Sequence, residues 1–128
     1  MIPLSPEHDW AAHDVVDSAF AVHRSLGPGL LESVYEQCLA YELQSRGHKT
    51  ERQVALPVVY RDVRLEAGFR IDILVNDLVI IELKTVERLL PIHEAQLLTY
   101  LKLSGKRLGL LLNFNVPLIK EGIRRLAL

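Results

Sequence analysis

Three charges in apolar surroundings restrict the fold of this chain more than any other feature. Asp72 stands within Phe-Arg-Ile-Asp-Ile-Leu-Val, and Glu82 and Lys84 stand within Ile-Ile-Glu-Leu-Lys-Thr-Val. Both segments read as strands, joined by a tight turn about Asn76-Asp77. Charges in such strands are costly unless they are paired, hydrated or coordinated. Residues two apart share a strand face, so Glu82 and Lys84 project together. Ile71, Ile73 and Val75, with Val79, Ile81 and Leu83, supply the opposite, apolar face.

Register follows from this pattern. All six apolar residues share one face only if directly paired residue numbers sum to an even total. A strict two-residue Asn76-Asp77 turn pairs Val75 with Leu78 and sets Asp72 against Ile81, on the wrong side. A three-residue connection or a bulge is therefore expected, which gathers Asp72, Glu82 and Lys84 on one side of the sheet.

The rest of the chain supplies helices and further strands. Ser5-Pro6-Glu7 is a helix start, and Val15, Ala19, Val22 and Leu26 recur at helical spacing up to the break at Gly27-Pro28-Gly29. A second helix is expected from about Leu30 to Arg46, stopped by Gly47. Gln53 to Tyr60 reads as an edge strand because Pro57 interrupts it. Beyond the hairpin, Pro91 opens a helix through about Ser104, and Arg107 to Phe114 is a strand buried on both faces. The tail after Val116 adds a short helix or a last strand. The expectation is one α/β domain over residues 1–128. Its core is a mixed four-stranded sheet, an antiparallel meander plus one parallel crossover, flanked by helices.

Composition excludes several classes. With 49% apolar residues in 128, the chain can bury a core without staples. Cys38 is the one cysteine and lies in a helical apolar pattern, so it reads as a buried thiol, with no disulfide framework or zinc knuckle. No apolar run reaches the roughly 18 residues of a membrane span, and no signal sequence opens the chain. A cytoplasmic protein is expected. The net charge is −1, yet residues 101–128 carry six basic side chains against the single acid Glu121. That edge reads as a phosphate-contacting surface or simply as solvated charge.

The chemistry open to the cluster is narrow. Two carboxylates suit Mg²⁺ or Mn²⁺, which can lower the pKa of water and stabilise charge on a phosphate. A lysine beside them orients that water or stabilises developing negative charge. The alternative is a buried ion pair between Lys84 and one carboxylate, which leaves the other acid unexplained. Arg70, two residues before Asp72, is placed on the same face to contact phosphate or neutralise an acid. His93, Gln96 and Tyr100 fall along one stripe of the helix that follows Lys84. That stripe reads as a cover over the acids or as ordinary packing, and His93 reads as a phosphate contact, a proton carrier or a structural residue near a helix start. Glu32 in a first helical turn favours the helix dipole.

Asp72 followed after nine residues by Glu82-Leu83-Lys84 resembles the PD-(D/E)XK nuclease superfamily, whose restriction-endonuclease-like core is a helix, a β-meander, a helix and a strand. "GLLESVY", through Gly29, Glu32 and Tyr35, resembles the signature of the GxxExxY proteins. "GFRIDILV", "IIELKTV", "HEAQLLTYLKLSG" and "LGLLLNF" follow in that family's order. The resemblance covers about residues 15–126. It implies Asp72 and Glu82 as metal-binding acids with the Leu83 carbonyl as a further ligand, Lys84 as the catalytic lysine, and Glu32 as the acid of the first core helix. Gln96 and Tyr100 resemble the site-facing Gln-x-x-x-Tyr element of RecB-like nucleases. The eponymous proline is missing. The function implied is a Mg²⁺- or Mn²⁺-dependent nuclease acting on DNA or RNA, possible as a homodimer. The alternative is an accessory module that keeps the fold without the catalysis.

Overall fold

The computed structural model describes residues 3–128. Helix α1 (Pro6–Leu26) begins at a reciprocal cap, in which the His8 amide donates to the Ser5 hydroxyl and the Ser5 amide to the His8 ring. After the loop of residues 27–31, helix α2 (Glu32–Ser45) follows. Tyr35 ties that loop down. Its buried hydroxyl donates to the Gly27 carbonyl at 2.6 Å and accepts from the Leu30 amide at 3.1 Å, while its ring stacks on Phe114 at 4.6 Å. Gly29 lies in the same loop at φ 97°, where a side chain would be strained.

The sheet runs in the order β1 (Thr50–Tyr60), β2 (Val63–Val75), β3 (Val79–Lys84), β4 (Leu108–Asn113) and β5 (Ile123–Ala127). Neighbours are antiparallel except β3 and β4, which are parallel and joined through helix α3 (Pro91–Ser104). Pro57 sits on edge strand β1 at a register shift between Leu56 and Val58, as a missing N–H requires. The sheet has five strands where four are expected from sequence. The tail passes through a 3-10 turn (Ile119–Gly122) and pairs as β5 along β4, from Leu108 opposite Ala127 to Leu112 opposite Ile123. All six residues of β4 are buried, so its second edge needs a partner.

Apolar layers cover both sides of the sheet. One packs α1 and α2 through Val15, Ala19, Leu39 and Leu43 onto Ile73, Val75, Val79 and Ile81. The other packs α3 through Leu97 and Leu101 onto Leu74, Ile80 and Leu111. Gly109 allows that approach, since a Cβ there would lie 2.9 Å from the Leu97 side chain.

The hairpin carries the three-residue connection its apolar faces demand. Ile73 pairs with Ile81, Leu74 with Ile80 and Val75 with Val79, leaving Asn76, Asp77 and Leu78 as the loop. Asn76 and Asp77 take left-handed φ values of 54° and 57°, and the Leu78 amide donates to the Val75 carbonyl at 2.9 Å. Asn76 also fastens the turn to the start of β1. Its amide donates to the Lys49 carbonyl, its side-chain oxygen accepts from the Lys49 amide, and its Nδ2 meets His48 Nδ1, whose ring bonds Asp14 on α1 at 2.7 Å.

One expected face assignment is overturned. Ile71 does not join Ile73 and Val75 beneath α1 and α2 but packs in the α3 layer, with Val54, Leu56 and Phe69. Ladder pairs run Arg52 to Ile73 and Val54 to Ile71, but Gln53 and Asp72 between them are unpaired, and Gln53 has φ 52°. Each strand thus carries one residue out of alternation at the same level, so the hairpin exchanges its faces there.

Replacing Tyr35 with phenylalanine keeps the ring stack but strands a carbonyl and an amide in the 27–30 loop. A loss of about 1–3 kcal/mol in unfolding free energy is expected. Denaturant titration checks it, and a loss below about 0.5 kcal/mol would show the hydroxyl bonds to be dispensable.

Candidate active site

Strands β2 and β3 pair at only three positions and then part at Asp72. Past that point side chains replace the ladder. The Asp72 amide donates to Glu82 Oε1 at 3.2 Å, and the Leu83 amide donates to Asp72 Oδ2 at 2.8 Å. Each carboxylate therefore accepts from the backbone of the opposite strand. N–H and C=O of one strand residue leave on the same side, so the Leu83 carbonyl faces the same gap.

These acids sit in a field that opposes their ionisation. Glu82 is 5% exposed, and burial, followed by the charge of Asp72, pushes its carboxyl up to about 8, against the partial relief of the Asp72 amide and Lys84. Burial also raises Asp72, with Glu36 adding to the effect, while the Leu83 amide, Lys84 and Gln53 counter it. Glu32 is exposed at the start of α2, yet its carboxyl is raised by partial desolvation and then by Asp72, so it belongs to the same electrostatic cluster.

Helix α3 closes one side. Lys84 Nζ donates to Gln96 Oε1 at 3.1 Å, and Gln96 Nε2 donates to the Tyr100 hydroxyl at 3.0 Å. Among the described residues Lys84 forms no ion pair, so the buried-pair alternative does not hold. Tyr100 packs on Phe69 at 4.8 Å, and desolvation with the nearby charge of Glu82 raises its hydroxyl pKa. Gln96 and Tyr100 thus lie beside the acids rather than in bulk solvent.

Two expected residues are not brought in. Arg70 is exposed and joins none of the acids, because the change of face at Asp72 breaks the alternation that placed them together. His93 caps α3 by accepting the Leu90 amide at 2.9 Å. Three residues unmarked by the sequence reading do take part. Glu36 is 5% exposed, and its Oε2 accepts from Arg52 at 2.8 and 3.0 Å while its Oε1 accepts from Gln53 at 2.6 Å. Gln53 Nε2 also stands 3.5 Å from Asp72 Oδ1. The available signal was Glu36 lying one helical turn after Glu32, on the same stripe.

Two carboxylates held together at the cost of raised proton affinity, with a carbonyl facing the same gap, fit a hard divalent cation. Among the described residues no group of three or more His, Cys, Asp or Glu side chains could hold a metal. An ion here would therefore rely on two acids, the Leu83 carbonyl and water, the pattern suited to Mg²⁺. A groove of about 290 Å³ between α1 and α2 includes none of these acids. Cys38 lines that groove and is half-buried, a correction to its expected full burial.

No curated protein and no solved structure gives a significant match to the chain. The family described as the PD-(D/E)XK nuclease superfamily matches residues 9–126. With that match spanning nearly all of the chain, and a mixed sheet carrying Asp72, Glu82 and Lys84 at its centre, the protein belongs to the PD-(D/E)XK nuclease superfamily.

Proposed function

We propose that the protein is a Mg²⁺- or Mn²⁺-dependent phosphodiesterase acting on DNA or RNA, of the GxxExxY kind. The observation that carries this reading is the reciprocal capping of Asp72 and Glu82, which leaves two charge-strained carboxylates beside a lysine that neither acid neutralises. Asp72, Glu82 and the Leu83 carbonyl would hold the ion. When bound, it supplies an activated water and neutralises charge at the scissile phosphate.

The remaining work falls to the chain. Lys84, oriented by Gln96, presents its ammonium to the nonbridging phosphate oxygen or the attacking water. Tyr100 fixes Gln96 through its hydroxyl. Glu32, exposed and raised in proton affinity, is placed to accept a proton from water at the edge of the site. Arg70 is free for the phosphate backbone, and His93 for a neighbouring phosphate through the nitrogen its cap leaves unused.

Lys84→Ala is expected to leave Mn²⁺ binding by calorimetry nearly intact and to lower cleavage about 100-fold or more. Asp72→Asn keeps an acceptor for the Leu83 amide but removes the charge, so binding and cleavage should fall together. Wild-type cleavage rates in Lys84→Ala would remove the lysine from the mechanism. A wild type that binds Mn²⁺ and cleaves no nucleic acid would identify an accessory module.

Acidity gives an independent check. A proton on Glu82 competes with the cation below about pH 8, so Mn²⁺ affinity should rise with pH and level off above it. Metal-free stability runs the opposite way. Glu82 ionises near 4.5 when unfolded and near 8 when folded, so the folded state binds the proton more tightly and loses stability as pH rises between those values. Glu82→Gln removes that loss. Its melting temperature should exceed that of the wild type by more at about pH 8.5 than at about pH 5. An equal difference at both would show that Glu82 is not raised.

A further inference from the structure

Gln53 occupies a backbone conformation ill suited to its side chain, in mid-strand with φ 52°. Glycine takes that conformation freely, and asparagine and aspartate tolerate it better than longer residues. The left-handed turn has a geometric result. Consecutive strand residues normally point to opposite faces, but here Arg52 and Gln53 both reach Glu36, one on each carboxylate oxygen. Gln53 Nε2, 2.6 Å from Glu36 Oε1, is thereby brought to 3.5 Å from Asp72 Oδ1.

We propose that Gln53 is a positioning residue for Asp72. Its amide, anchored on buried Glu36, holds the Asp72 carboxylate in the orientation that accepts the Leu83 amide and faces the gap shared with Glu82. The side-chain chemistry suits this task. A carboxamide carries two N–H donors and can serve one on each of two carboxylates. It does so without altering the charge of the cluster. A glutamate there would add a further negative charge, and a lysine would pair with Asp72 and compete with a cation. Arg52, held by the other oxygen of Glu36, limits rotation of that anchor. The inference rests on the proposed role of Asp72 in holding a metal, but it adds the device that orients the carboxylate before any ion arrives.

The test compares wild type with Gln53→Gly and Gln53→Asn. Glycine keeps the backbone turn and deletes the amide, and asparagine keeps an amide too short to span both acids. Both should remain folded, since relief of the left-handed turn offsets part of what Glu36 Oε1 loses with its donor. Hydrogen exchange in metal-free protein should show the Leu83 amide exchanging about tenfold faster or more, relative to Ile81, once Asp72 is unsupported. Calorimetric Mn²⁺ affinity should fall about tenfold or more, the scale for losing a residue that orients a ligand. A purely backbone role for Gln53 predicts neither change. Leu83 protection and Mn²⁺ affinity within about twofold of wild type in a stable Gln53→Gly protein would overturn the proposal. If the wild type itself binds no Mn²⁺, the metal role of Asp72 fails separately, and Leu83 exchange still decides whether Gln53 orients the carboxylate.

Discussion

The structure turns on the exchange of backbone hydrogen bonds for carboxylate ones where β2 leaves β3. A sheet cannot part in its interior without stranding amides, and each stranded amide costs about 1–3 kcal/mol. Here the Asp72 and Leu83 amides are satisfied by Glu82 and Asp72 side chains. The acids thus close the gap they stand in. The same bonds fix both carboxylates to backbone, the most rigid support a strand can offer.

That closure is electrostatically unfavourable. Desolvation raises both acids, the charge of Asp72 adds to the effect on Glu82 and that of Glu36 to the effect on Asp72, and Lys84 offsets only part of this. In a purely structural role such an arrangement gives way to a salt bridge or to neutral amides. Its persistence is understandable if a cation supplies the missing charge. Asp72 is half-buried and Glu82 buried, so the pair opens to solvent on the Asp72 side.

Much of this was legible in the sequence, for identifiable reasons. Apolar parity excluded a two-residue turn and left a three-residue connection or a bulge, and the pairing of Ile73 with Ile81 and Val75 with Val79 is the first of these. The edge position of β1 followed from Pro57, and the buried character of β4 from its unbroken apolar run. What was not legible depends on departures from periodicity. Nothing in a string of letters marks Gln53 as left-handed, so the change of face at Asp72 and the relocation of Ile71 and Arg70 were out of reach. Glu36 was hidden because a helical acid reads as surface until a sheet arginine and glutamine cover it. Strand β5 was obscured by Arg124 and Arg125, which an edge strand with an open face accommodates.

The change of face and the candidate site are one feature seen from two sides. In a regular sheet, residues from α1 and α2 meet one face and residues from α3 the other, with a full strand thickness between them. Where both strands lose alternation together, that partition fails. Glu36 and Arg52 from the α2 side and Gln96 and Tyr100 from the α3 side can then act on the same pair of acids. An irregularity that would weaken an ordinary hairpin gives this one access to groups from both layers, and two helices on opposite faces can shape a single centre.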